Sequence, residues 1–128
     1  MNNQIYTLSS GVRIINCTPH PITFSLANGE GVETVPCSGI VLNATPVEAE
    51  VFSTHPSGAS IVRTEFVAGP FPKELKGIGS DVLLVGSVIA AQAFPSRGVV
   101  SMVPSPGFER VAPDQKRMNP AKFNTFSK

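Results

Sequence analysis

Residues 81–104, DVLLVGSVIAAQAFPSRGVVSMVP, contain the one place in the chain where the spacing of apolar residues changes. Within 81–86 the run VLLV is continuous and apolar, which is the pattern of a buried strand. Ser87 then stands where a helix N-cap belongs, and VIAAQAF supplies good helix formers. Pro95 ends the segment because it has no backbone N–H and its ring crowds the preceding turn. With GVVSMVP, β-branched residues return. The reading is strand, sharp turn, short helix near residues 87–94, then strand, with Ile89, Ala90 and Ala93 expected to pack on a sheet.

Working outward, the flanking segments are strand-like. VRIINC and PITFSL carry β-branched and aromatic residues, ANGEG contains the Asn28-Gly29 pair that favours a tight hairpin turn, and VETVP returns. GIVLN, VEAEVF and SIVRTEF continue in the same style, separated by ATP and HPSGAS, whose Pro, Gly and Ser residues punctuate strands. The first half is therefore expected to supply most of one antiparallel sheet, opening as a meander. VAGPFPKELKGIGS reads as an irregular loop suited to a flap over a site. Beyond Phe108, two prolines and little periodicity predict an extended arm, which Phe123 and Phe126 would tack onto the body or a neighbouring subunit. The expected fold is α+β: a single small β-rich domain over residues 1–108, mainly antiparallel sheet with one short helix, followed by an extended basic C-terminal arm over 109–128.

Composition agrees with that class. At 128 residues the chain is one domain's length, and 11 glycines and 12 prolines imply many turns and short elements. No run approaches the ~20 apolar residues of a membrane span, and MNNQIYTLSS lacks the basic start and apolar middle of a signal peptide. Cytoplasmic location, no membrane partner and reduced thiols at Cys17 and Cys37 are the corresponding expectations. The net charge of +1 is uneven: residues 109–128 hold five bases (Arg110, Lys116, Arg117, Lys122, Lys128) against two acids (Glu109, Asp114), a balance of +3 that leaves −2 for the rest. So short a basic run, without clustered aromatics, does not predict nucleic-acid binding. A chain this small and turn-rich buries limited area, so a homo-oligomer is expected, with the arm at the interface.

Three features could hold a small anionic ligand. In INCTPHPITF, His20 lies between Pro19 and Pro21, which fix the backbone and remove donors, so the imidazole is held rigidly before any ligand arrives. Asn16 and Thr18 alternate with it at period two, giving one polar face if the segment is extended; the structural alternative is that these groups cap neighbouring backbone. In VRTEF, Arg63 and Glu65 share a face and offer a planar donor fork with an acceptor beside it, or else form an exposed cross-strand ion pair. At the turn before the helix, Gly86 and Ser87 could cradle an anion on unpaired N–H groups, with Gln92 and Arg97 facing the same region; the same pattern also serves as a plain helix cap. No metal and no cofactor are expected. Cys17, His20, Cys37 and His55 form a two-cysteine, two-histidine set only formally, since the last two lie 18 residues apart. No catalytic residue is assigned, because no thiol-enzyme signature surrounds Cys17.

Taken in order, INCTPHPITF, VRTEF and VGSVIAAQAFPSRGVVSMVP resemble a family of short proteins encoded by bacteriophages. Its members open with an N-x-T-P-H segment, carry an R-T-E-F strand, and have a strand–Ser–helix unit ending in A-Q-A. The match spans residues 14–104. The resemblance implies that Asn16, Thr18, Pro19, His20, Arg63, Glu65, Ser87 and Gln92 matter, and it leaves the basic arm outside the pattern. Where Cys17 stands the family is more often apolar, against a thiol or zinc role. Small viral proteins with rigid polar pockets resemble a class that captures nucleotide signals of host immunity. The resulting expectation is sequestration, without chemistry, of a cyclic or linear ADP-ribose derivative or a cyclic dinucleotide. The alternative is a structural or protein-interaction module, as a particle component or an inhibitor of a host enzyme. A nucleotide hydrolase comes third, because no acidic cluster or acid–base pair is visible.

Overall fold

The chain runs β1 (Ile5–Thr7), β2 (Arg13–Asn16), β3 (Ile22–Ser25), β4 (Val32–Val35), β5 (Ala44–Thr54), β6 (Ser60–Ala68), β7 (Val82–Val85), α1 (Val88–Ala93), β8 (Val99–Pro104) and β9 (Met118–Thr125). The structure is a computed structural model and describes residues 5–28, 30–112 and 115–126. It is a small β-rich α+β domain. Seven strands form one sheet in the order β1-β2-β7-β8-β9-β3-β4, and β5 and β6 form a separate hairpin.

The edges of the large sheet are antiparallel, β1 with β2 and β3 with β4, as is β8 with β9. Its centre is parallel, β2 with β7 and β7 with β8, and so is the pairing of β9 with β3. Parallel neighbours need a crossover, and α1 is the one between β7 and β8. The meander expected at the start holds only for β3 and β4; Gly29 of their turn lies outside the described residues. β2 and β3, consecutive in sequence, lie four places apart in the sheet because β7, apolar on both faces, takes β2 as a neighbour.

Two further expectations are corrected. VEAEVF and SIVRTEF do not extend the sheet but pair with each other as the β5–β6 hairpin, because period-two alternation makes a strand without naming its partner. GIVLN is not a strand: Gly39 takes a positive φ of 89°, Ser38 N donates to Asn16 O and Leu42 N to Cys17 O, and Ile40 and Leu42 drop onto the sheet.

The sheet curls until its two ends meet. Tyr6 Oη of β1 donates to Glu33 Oε1 of β4 at 3.4 Å, and Ser9 N donates to Glu33 Oε2 at 2.9 Å. Inside the curl lie Leu8, Ile14, Ile22, Phe24, Val35, Val85 and Val100, with Phe123 tilted against Phe24 at 6.1 Å. On the outer face Ile15, Cys17, Val82, Leu84 and Val99 are covered by Ala90, Ala91 and Phe94 of the helix region and by Leu42 and Leu75. This explains the unbroken VLLV: Val82 and Leu84 face the helix, while Leu83 and Val85 face the interior.

Helix α1 begins one residue after its N-cap Ser87, whose Oγ accepts from Ala90 N at 3.1 Å. Its buried residues are Ala90 and Ala91, with Ala93 half-buried, whereas Ile89 is exposed, contrary to the expected packing. Close approach sets that face: a Cβ on Gly86 would sit 3.1 Å from both Ala90 Cβ and Val99 Cγ1, so only small residues fit between α1 and β8. The C-terminal segment is extended but woven into the body, with β9 between β8 and β3, Pro120 buried and Phe126 against the outer core. Among the described residues no helix is long and apolar enough to cross a membrane.

Candidate functional site

At the end of β2, Asn16 is fully buried among backbone carbonyls. Its Nδ2 donates to His20 O at 2.9 Å and shares contacts at 3.3 Å with Val35 O and Pro36 O, while its Oδ1 accepts from Thr18 N at 3.0 Å and Thr18 Oγ1 at 2.6 Å. The Thr18 hydroxyl also lies 2.8 Å from His20 O, so its single hydrogen is shared between two acceptors. Asn16 and Thr18 therefore turn inward and tie the Thr-Pro-His-Pro loop to β4. The common polar face expected for Asn16, Thr18 and His20 is not formed, because the extended alternation ends with β2 at Asn16. His20 alone is left exposed.

The loop forms one wall of a cleft of about 560 Å³. Thr18 to Thr23 contribute that wall, and Ser87, Met102, Lys116 and Met118 contribute the rest. The parallel strands β2 and β7 end here and β3 and β9 begin here, so the cleft occupies one mouth of the curled sheet. Loops at the carboxyl ends of parallel strands are a common place for ligands in sheets of this kind. The lining is mostly apolar, with hydroxyls, one imidazole and one ammonium group. Thr23 and Lys116 also line an adjoining hollow of about 310 Å³ with Gln115 and Arg117, whose guanidinium lies 4.8 Å from the Phe108 ring centre.

The other expected site residues are placed elsewhere. Arg63 and Glu65 are exposed on β6, with Arg63 5.0 Å from the Phe52 ring centre, and neither lines the His20 cleft. Gly86 N donates to Val100 O and Ala90 N to Ser87 Oγ, so these two N–H groups of the expected anion cradle are spent on the protein's own acceptors. Ser87 still lines the cleft, whereas Gly86 serves helix packing. Gln92 is exposed on α1. Arg97 stacks 4.5 Å from the Phe71 ring centre and lines a different hollow, of about 660 Å³, with the loop at residues 75–80. That loop borders this second hollow and not the His20 cleft.

Lys116, Met102 and Met118 were not singled out by sequence. Lys116 was visible only as one charge in a basic run, and its position follows from the pairing of β9 with β8 and β3. Cys17 is buried and Cys37 exposed, both free, and among the described residues no three His, Cys, Asp or Glu side chains gather as metal ligands. Burial pushes the Cys17 thiol up to about 12, so it stays protonated and unreactive near neutral pH. No protein-family model matches the chain, and no curated protein or solved structure matches it.

Proposed function

We propose that this chain is a small-molecule-binding protein whose ligand occupies the His20 cleft, and that the ligand is a nucleotide-derived signal of host immunity, such as a cyclic or linear ADP-ribose derivative or a cyclic dinucleotide. The observation that carries the reading is the convergence of a loop-locked imidazole, His20, and an ammonium group, Lys116, on one mainly apolar cleft of about 560 Å³. That volume lies in the range of small-ligand sites. A base or ribose fits against His20, Ile22, Met102 and Met118, and a phosphate fits near Lys116, with Arg117 on the adjoining hollow. The anion anchor is thus assigned to Lys116 rather than to Arg63 or the helix start. The loop is already tied down by Asn16 and Thr18, so binding would cost little ordering entropy. Among the described residues, His20 and Lys116 are the titratable side chains lining the cleft, a pair that suits capture of an anion. The resemblance of residues 14–104 to short phage proteins supports the ligand class, and the place of action would be the host cytoplasm.

Titration calorimetry with ADP-ribose, cyclic ADP-ribose and cyclic dinucleotides, followed by mass spectrometry of the recovered ligand, tests this. Binding at micromolar concentration or tighter is expected, with the ligand recovered intact. His20→Ala and Lys116→Ala should each weaken binding about tenfold or more, as expected for one lost charged or stacked contact, with the melting temperature unchanged. Absence of binding by all of these ligands, or affinity indifferent to both substitutions, would defeat the proposal; a ligand returned cleaved would make the protein a hydrolase. The second reading, an interaction module, is favoured by the exposed apolar side chains of the β5–β6 hairpin.

A further inference from the structure

The β5–β6 hairpin stands outside the large sheet. At its base Gly69 N donates to Asn43 O at 2.9 Å, and α1 packs against both strands. A two-stranded ribbon is marginal by itself in water. This one nonetheless carries large apolar side chains in the open, with Phe52 62%, Val51 60% and Val67 52% exposed. Its two outer edges differ. β5 contains Pro46 and Glu48 and is irregular between Glu48 and Glu50 and between Val51 and Ser53, features that blunt an edge against pairing. β6 contains no proline and no lysine and keeps its alternation over 9 residues, an edge of about 30 Å. Among the described residues no strand pairs with its outer side.

We propose that two copies of this chain join through the outer edges of β6, antiparallel about a two-fold axis at Thr64, forming a four-stranded sheet. In that register Thr64 faces its own copy, Arg63 faces the second copy's Glu65, and Glu65 faces the second copy's Arg63. Val62 then meets the second copy's Phe66, and Ile61 meets the second copy's Val67, so every charged pair is attractive and these apolar residues meet apolar partners. Neighbouring two-fold registers, centred on Arg63 or on Glu65, set like charges face to face. The VRTEF segment is thus self-complementary in one register, and the interface is isologous. This assigns Arg63 and Glu65, which the His20 cleft does not use, to assembly.

Sedimentation of the full-length protein tests the proposal, with charge reversals as the probe. The wild-type chain should be a dimer at micromolar concentration. Glu65→Arg sets arginine opposite arginine, Arg63→Glu sets glutamate opposite glutamate, and each should raise the dimer Kd about tenfold or more. An equimolar mixture of the two variants restores opposite charges at both positions and should form a heterodimer near wild-type affinity. Arg63→Glu/Glu65→Arg in one chain should also restore self-pairing. A wild-type monomer at high micromolar concentration, a dimer indifferent to Glu65→Arg, or variants that stay monomeric when mixed would each overturn it.

Discussion

Removing the carboxamide of the fully buried Asn16 leaves the carbonyls of His20, Val35 and Pro36 without their shared donor. Asn16→Ala is therefore expected to destabilise the fold by roughly 2–4 kcal/mol, read by denaturant unfolding, and to weaken binding only through the disordered loop. His20→Ala should do the reverse, lowering affinity at constant stability. The sequence placed both residues in one polar set, and what it hid was orientation: the Val35 and Pro36 carbonyls, brought close only when the end of β4 folds against the loop after β2, join His20 O in drawing Asn16 inward. A pH experiment belongs at this scale too. Burial raises the Cys17 thiol from 9.0 to about 12, and burial, then the nearby charge of Glu33 and its hydrogen bond, raises the Tyr6 phenol. Between pH 9 and 12 the folded chain keeps a Cys17 proton that the unfolded chain loses, so this contribution is complete below pH 9 and is lost as pH rises toward 12. Melting temperature should fall across that window, and Cys17→Val should flatten the fall. An unchanged profile in Cys17→Val would show that the thiol is not the group responsible.

At the scale of elements, the β7–α1–β8 unit was readable from the sequence because each part carries a local signal: an unbroken apolar run, a serine cap, a proline stop. Of the face that α1 buries, Ala90 and Ala93 were legible and Ile89 was misplaced, because Ile89 is the larger hydrophobe and only the narrow gap beside Gly86 selects Ala90 and Ala91 for the closest approach. Gly86→Ala places a methyl 3.1 Å from Ala90 Cβ and Val99 Cγ1 and should cost about 1–3 kcal/mol by overpacking. Ile89→Ser, on the exposed side, should cost less than about 0.5 kcal/mol. Equal losses in thermal unfolding would mean the helix is packed differently. The hairpin strands were read correctly as strands and assigned to the wrong sheet, since period-two alternation predicts conformation but says nothing about the partner.

For the whole molecule, the decisive pairing is the one farthest apart in sequence. β9 lies between β8 and β3 and brings Phe123 to the interior, so the last residues complete the sheet. Deleting residues 118–128 should abolish cooperative unfolding, whereas a free arm would come away with no loss of stability. The same pairing sets Lys116 beside His20, which is why half of the site was invisible to local reading. The protein holds two histidines, His20 at the cleft and His55 at the hairpin tip, where its Nδ1 lies 3.0 Å from Ser57 Oγ. Imidazole resonances followed by NMR during titration with ADP-ribose or a cyclic dinucleotide thus report on site and ligand together. With a ligand in the His20 cleft, the His20 signals should move in a saturable way while those of His55 stay fixed; His20 signals that stay fixed, or movement at His55 alone, would rule that site out.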